Sequence, residues 1–259
     1  MNAFKIYSKG NTYYSLGGLR PPLEKQPALK LSKLLIDNLP SPPEEFDVDP
    51  TRQIPVSMCG NDQFGDCYVI ATLRNIQHQA YALTGKILPD DKNAVLDIYK
   101  TLSPDDTGCY PDIAARWFKN NGFRFSTGEI FTFSDFGSFV TGYECDTLEE
   151  IRIAIYYLKS CILGLNWPSS AMQQFEAKQV LTPIENSTSD GGHAVHIKNY
   201  RADGTFGMYT WGELIYADSA FINKYLMIAQ GFIPKDIVGT VIDPDKLEFE
   251  TRALKKIMS

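Results

Sequence analysis

The sequence is poor in the residues that build metal sites and disulfide frameworks. It contains three histidines, and its five cysteines are widely spaced, odd in number and without a CxxC pair. Structural zinc sites need four ligands at close spacing, and disulfide frameworks need cysteines in pairs. We therefore expect reduced thiols, as in a cytoplasm, with no bound metal and no cofactor.

The chain also has no excess of positive charge and no long apolar run. Its net charge is −6 and its basic residues are scattered, whereas a nucleic-acid-binding face needs clustered lysine and arginine. No segment approaches the ~20 apolar residues that cross a bilayer, and the first residues contain no apolar core of an export signal. These features argue against nucleic acid, a membrane and secretion, and they favour a cytoplasmic location.

What is present is a chain of 259 residues, 44% of them hydrophobic, enough for one large domain. Residues 1–45 form a proline-rich arm, interrupted by Gly17-Gly18 and by a proline-rich stretch at 40–43, which disfavours regular helix. An arm this polar must be held by its own domain or by another chain. We place the domain at residues 46–259, and expect the arm to lie on a partner or in a groove outside the active cleft.

Helical patterns dominate the first half of this domain and strand patterns dominate the second. The predicted helices run from 67 to a stop at Gly85, over 92–99, from 111 to 122, from 147 to 158 behind a capping box, and over 245–258. The predicted strands are CILGL (161–165), HAVHIKNYR (193–201) and TFGMYTWG (205–212). Helices followed by antiparallel strands predict an α+β protein with two lobes.

Two local motifs contain residues suited to covalent chemistry. In NDQFGDCYVIA (61–71), Cys67 opens a helix after a glycine turn, where the positive helix end favours the thiolate. In GGHAV (191–195), His193 follows two glycines that let a substrate backbone approach closely. A cysteine with a distant histidine is the minimum for thiol nucleophilic catalysis. We predict that Cys67 Sγ and a ring nitrogen of His193 lie about 3–5 Å apart.

In their order and setting, these motifs resemble those of the papain-like (C1-type) cysteine peptidases, over roughly residues 40–230. The matching segments are LPSPPEEFDVD (39–49), GDCY (65–68), GCYPDIAARWFKNNGF (108–123), LEEIRIAIYYLKSCILGL (148–165), GGHAVHIKNY (191–200) and YTWG (209–212). The resemblance implies a papain-like two-lobed fold, a helical lobe followed by an antiparallel β lobe with the cleft between them. It also implies Cys67 as nucleophile and His193 as general base.

The resemblance assigns further site residues, and several depart from the family pattern. The family's oxyanion glutamine aligns with Asn61, with Gln63 as a nearby substitute. Its third catalytic residue, an asparagine, aligns with Tyr209, which cannot reproduce an amide; Asn199 is an alternative. These departures imply weak activity, as does the expected negative charge of Asp66. The substrate-binding positions implied by the resemblance are Gly108, Cys109, Tyr110, Gly192 and Trp211.

Two classes of function stay open on this reading. One is a thiol hydrolase, a peptidase or amidase acting on a peptide or protein substrate. The other is a catalytically degenerate domain of the same fold that binds or scaffolds. Papain-like chains with such an arm look like those of bacteria and tailed phages, which implies a virion component anchored to other protein chains through residues 1–45. The remaining histidines have structural roles: we expect His78 on the polar face of its helix and His196 facing away from His193.

Overall fold

The computed structural model describes residues 5–9, 12–22, 28–131 and 142–257. The helices are α1 (Cys67–Thr84), α2 (Lys92–Leu102), α3 (Pro111–Asn121), α4 (Leu148–Tyr157), α5 (Ser169–Glu176), α6 (Ser219–Tyr225) and α7 (Pro244–Ile257), with 3-10 turns at Leu31–Lys33 and Lys235–Ile237. The strands are β1 (Lys5–Lys9), β2 (Thr12–Leu16), β3 (Phe46–Asp47), β4 (Phe123–Arg124), β5 (Ile130–Phe131), β6 (Gly142–Glu144), β7 (Cys161–Pro168), β8 (Ser189–Tyr200), β9 (Thr205–Thr210), β10 (Glu213–Asp218) and β11 (Leu226–Phe232). The predicted α+β class is confirmed.

Helix α1 is the central element between the two lobes. It begins at Cys67 and ends before Gly85, whose left-handed backbone (φ 72°) closes the last turn as predicted. It packs against α2 and also against β8, so its polar side chains are buried as well as its apolar ones. The face of α1 that carries His78, predicted to be its polar face, is therefore buried against the β lobe. The His78 ring is fully buried, with its centroid 4.4 Å from that of His196 on β8.

The other helix boundaries follow local sequence signals. Helix α2 extends three residues beyond the predicted end at 99, and α3 lies between Pro111 and Gly122 as predicted. The capping box before α4 is present: the backbone N–H of Glu150 donates to Thr147 Oγ1 at 3.1 Å. Residue 258 of the predicted last helix lies outside the described residues. Across the described ranges, none of the helices combines the length and the apolar composition needed to span a bilayer.

The β lobe is built on an antiparallel sheet with strand order β10-β9-β8-β7-β11-β6, to which β3 adds by pairing with β8. The three predicted strands are confirmed as β7, β8 and β9, although the second and third end earlier than predicted, at Tyr200 and Thr210. One apolar core fills this lobe, and a second surrounds α1, α2 and α3. The cleft lies where the start of α1 meets β8.

The N-terminal arm is packed into the β lobe. Strands β1 and β2 pair as an antiparallel hairpin, and Tyr14 stacks edge-on against Phe175 and Trp211. Four leucines of the arm are buried in the β-lobe core: Leu16, Leu29, Leu31 and Leu34. Of the two ways to hold such an arm, the structure therefore uses the chain's own domain.

Candidate active site

The two candidate catalytic residues lie on facing elements. Cys67 is the first residue of α1, where backbone N–H groups lack partners within the helix, and His193 lies on β8. The N–H group of Ala194, the residue after His193, donates to the sulfur of Cys67 at 3.4 Å. The fold thus brings the two motifs together, while the separation between Sγ and a ring nitrogen stays a prediction.

Burial holds both residues in their neutral forms. It raises the pKa of the Cys67 thiol to about 12; the N–H group of Ala194 opposes this change, and the charge of Asp66 adds to it. Burial also lowers the pKa of His193 to about 3. The pKa of Asp66 is itself raised well above its ordinary value by burial, which disfavours the negative charge expected there. Cys67 and His193 are therefore uncharged at neutral pH in this state.

The imidazole of His193 is fixed by Thr210 and two tryptophans. Its Nε2 atom lies 2.6 Å from Thr210 Oγ1. Trp211 stacks on the ring at a centroid distance of 4.4 Å and an interplanar angle of 16°, and Trp167 approaches edge-on at 5.2 Å. Within the described part of the chain, His193 Nδ1 has no hydrogen-bond partner. Nε2 is therefore the engaged ring nitrogen in this state.

The assignment of Tyr209 as the third catalytic residue needs correction. Tyr209 pairs with His196 across β8 and β9, and their rings stack at 6.4 Å. Directly paired residues share one face of a sheet, and successive residues alternate between faces. Tyr209 therefore lies on the face opposite His193, as His196 does, which confirms the predicted orientation of His196. The alternative, Asn199, donates instead to Asp47 Oδ2 at 2.8 Å.

The two predicted oxyanion donors are directed elsewhere in this state. The amide nitrogen of Asn61 donates to the Phe64 carbonyl and to Asp66 Oδ1, both at 3.1 Å. The amide nitrogen of Gln63 donates to Asp62 Oδ2 at 3.1 Å in an exposed position. Either amide would have to break these bonds before it donated to a substrate.

A segment of the arm, residues 15–20, lies in the cleft; we call it the cleft segment. On the helical rim, the N–H of Cys109 donates to the Gly18 carbonyl and the N–H of Arg20 donates to the Cys109 carbonyl, both at 2.8 Å. On the same side, the N–H of Ser15 donates to the Asn61 carbonyl at 2.8 Å. The expectation that the arm avoids the active cleft is wrong.

The β-lobe rim binds the cleft segment as well. The N–H groups of Gly17 and Leu19 both donate to the Gly192 carbonyl at 3.1 Å. The indole N–H of Trp211 donates to the Ser15 carbonyl at 3.2 Å. Of the five predicted substrate-binding positions, Cys109, Gly192 and Trp211 thus hydrogen-bond to the chain's own arm.

Glycines at the crossing allow the backbones to touch. A Cβ atom on Gly18 would lie 2.5 Å from the Gly65 carbonyl oxygen, two residues before Cys67, and a Cβ on Gly108 would collide with the Gly18 carbonyl. The side chain of Leu19 packs over Gly164, where a Cβ would lie 2.5 Å from Leu19 Cδ2. Tyr110, the fifth predicted position, is the N-cap of α3 beside this crossing.

The other cysteines are buried, as expected for packing residues. One of them, Cys59, also donates to Asp90 Oδ1 at 2.8 Å. Among the described residues, no group of three or more histidine, cysteine, aspartate or glutamate side chains is arranged to hold a metal ion.

Sequence reasoning missed Thr210 and the cleft segment. Thr210 was within reach of the strand pattern, because a residue adjacent to Tyr209 must face the opposite side of β9. For the cleft segment, the signal was the pair Gly17-Gly18 in an otherwise polar arm, since adjacent glycines permit close backbone contact.

No family model matches the chain, and no curated protein matches it by sequence. Solved structures do match. Xylellain, a cysteine protease from Xylella fastidiosa, aligns with a TM-score of 0.62 at 14% identity, over 88% of this chain and 99% of that one. Procathepsin L2 from the larval midgut of Tenebrio molitor aligns at 0.60 and 15%, over 85% and 78%. A cysteine protease of Carica candamarcensis in complex with E-64 aligns at 0.52 and 13%, over 74% and 98%. The fold is thus the papain-like fold of cysteine proteases, as predicted.

Proposed function

We propose that this chain is a thiol hydrolase of peptide or amide bonds, with Cys67 as nucleophile and His193 as general base, kept latent by its own cleft segment. The observation that carries this proposal is the cleft segment itself. It is a stretch of polypeptide hydrogen-bonded to both rims of the cleft near Cys67. Backbone groups that bind one extended peptide can bind another, so the substrate class is a peptide or protein.

The packing of Leu19 adds a preference for an apolar side chain. Leu19 lies in the same apolar cluster as Cys67 and Cys109, and its side chain covers Gly164. A substrate chain that replaces the cleft segment gains the most by burying an aliphatic side chain at the same place, roughly 1.5–3 kcal/mol for a residue of this size.

The chemistry follows once the cleft segment leaves. His193 Nδ1 takes the proton of the Cys67 thiol, and the thiolate attacks the scissile carbonyl carbon. Negative charge develops on the carbonyl oxygen, toward which the backbone N–H groups at the start of α1 can donate, joined by Asn61 if it releases Asp66. His193 then passes its proton to the leaving amine. Water, deprotonated by His193, releases the acyl group from Cys67.

The second candidate is a binding domain of the same fold without turnover. Two observations favour it: the Asn61 amide is engaged by Asp66 and Phe64, and burial holds the pKa of Cys67 at about 12. Attachment to another chain or to a phage particle through residues 1–45 has less support, because the buried leucines of the arm are already used in its own domain.

The test is peptide hydrolysis by a variant with an opened cleft, Gly18→Ala, for which a steric clash is expected. A library of fluorogenic peptides with aliphatic side chains is the substrate, and the matched control is Gly18→Ala combined with Cys67→Ala. We expect turnover by the first protein and none by the second. If Cys67 becomes reactive toward iodoacetamide in Gly18→Ala but no peptide is cleaved, the binding domain is the better description.

A further inference from the structure

We propose that Thr210 positions His193, by accepting the Nε2–H of its imidazole and leaving Nδ1 as the nitrogen that acts as base toward Cys67. This inference rests on the proposed function. Thr210 takes the role that an asparagine has in the family. The residue aligned with that asparagine, Tyr209, lies on the opposite face of the sheet, and Thr210 is the next residue along the strand.

The position of Thr210 is rigid. It is the last residue of β9 and pairs with Glu213 at the start of β10, directly before the tight turn at Trp211 (φ 46°) and Gly212 (φ 77°). Its side chain is buried, 5% exposed, beside a His193 that is 1% exposed. Because both side chains are buried, water cannot easily replace the 2.6 Å contact between Oγ1 and Nε2.

Two contacts orient the His193 ring in different ways. Trp211 stacks on one ring face and fixes the plane of the imidazole, but stacking does not choose between the two nitrogens. The Thr210 hydroxyl lies at Nε2 and fixes the rotation within that plane. With Nε2 bonded, Nδ1 is the ring nitrogen that is unpartnered among the described residues.

The tautomer follows from the hydrogens available at the site. A neutral imidazole carries one N–H, and the hydrogen bond at one nitrogen decides which nitrogen holds it. In the proposed mechanism Nδ1 takes the thiol proton of Cys67, so Nδ1 must carry no hydrogen and the ring hydrogen must be on Nε2, where it is donated to Thr210 Oγ1. In this state Nδ1 has no hydrogen-bond partner among the described residues. A serine at position 210 keeps the hydroxyl oxygen that accepts the Nε2–H.

Histidine NMR on the full chain gives a readout that does not depend on catalysis. With three histidines in the sequence, long-range ¹H–¹⁵N spectra assign each tautomer, and we expect His193 as the Nε2–H form. Thr210→Val keeps the shape and removes the acceptor, so we expect the Nε2–H form to lose its dominance. Thr210→Ser should restore it. Thr205→Val, on the same strand but bonded to Asp203, is the matched control and should leave the tautomer unchanged.

Thiol reactivity supplies the second readout. In the Gly18→Ala background, Thr210→Val should lower the rate of Cys67 alkylation by iodoacetamide at least about tenfold, a part of the roughly 10²–10⁴-fold that a positioned base contributes, and Thr210→Ser should recover most of it. An unchanged His193 tautomer in folded Thr210→Val overturns the inference. A changed tautomer without peptide hydrolysis in any variant supports the positioning role and counts against the hydrolase.

Discussion

The substitution Gly18→Ala distinguishes two possibilities: an enzyme whose cleft is blocked by its own arm, and a domain that has no catalytic activity. The added methyl carbon would lie 2.5 Å from the carbonyl oxygen of Gly65, 2.6 Å from its carbonyl carbon and 2.7 Å from its Cα. Carbon–oxygen contacts are comfortable only from about 3.3 Å, and all three atoms belong to the backbone before α1. The cleft segment must therefore move away from Gly65 by about 1 Å.

Such a displacement breaks hydrogen bonds on both rims. Cys109 and Gly192 together make four backbone bonds to the cleft segment, of 2.8–3.1 Å, and each contributes about 0.5–1.5 kcal/mol net. Loss of two or three of them weakens closure by about 2–3 kcal/mol. The open population, and with it the rate at which iodoacetamide reaches Cys67, should rise roughly 30- to 150-fold.

Mass spectrometry of iodoacetamide-treated full-length protein measures this rate at Cys67. The buried Cys59, Cys145 and Cys161 serve as internal references. Val180→Ala is the control variant, because Val180 is exposed, and it should label at the rate of the unaltered chain. If folded Gly18→Ala also labels at that rate, the cleft segment does not protect Cys67 and the latent-enzyme proposal loses its basis.

Two further predictions concern stability. Burial lowers the pKa of His78 from 6.5 to about 4 and that of His193 from 6.5 to about 3; protons therefore bind the unfolded chain first, and stability falls as pH drops below 6.5. Urea titrations should show that the loss of stability between pH 7 and pH 5 is about 2 kcal/mol smaller in His78→Gln than in the unaltered chain, whereas an equal loss in both proteins would contradict a buried neutral ring at His78. Leu31→Ala should cost about 2–5 kcal/mol in the same titrations, against almost nothing for the exposed Val180→Ala; an equally small loss for both would show that the arm is not part of the core.

The strands and helices of this protein are readable from its sequence because their signals are local. Gly85, Pro111 and the capping box at Thr147 each mark a boundary through the backbone of a few neighbouring residues. The order of the motifs then defines two lobes and brings Cys67 near β8. These features can be predicted without information on long-range packing.

The errors arose where a residue's role depends on a partner far along the chain. Tyr209 aligns with the family's asparagine by counting, yet the pairing of β8 with β9 decides which residue faces His193. His78 sits on a polar stripe of α1, but that stripe is covered by the β lobe: the His78 ring lies against that of His196, and the Ser160 hydroxyl donates to Asn75 of the same stripe. From residue type alone, such polar side chains are expected to be exposed.

The position of the N-terminal arm also depends on long-range contacts that the sequence does not reveal. Its polarity and prolines argue that it cannot fold alone, which is consistent with the structure, but they do not reveal the surface that holds it. That information is divided between Gly17-Gly18 in the arm and glycines at 108 and 192, more than 80 residues away. Taken singly, each of these glycines could belong to an ordinary turn. Only the folded structure shows that they lie together where the arm backbone crosses the cleft.

In the proposed function, closure and ionisation of the cleft are coupled, and this coupling would let one segment keep the hydrolase silent. The largest cause of the high pKa of Cys67 and of the low pKa of His193 is burial. Water that enters when the cleft segment leaves stabilises the charged forms of both residues, so the pKa of the thiol falls and that of the imidazole rises. The two values move toward each other, and the thiolate–imidazolium pair becomes accessible only in the open state. The segment that blocks the substrate therefore also suppresses the nucleophile, and a single displacement relieves both.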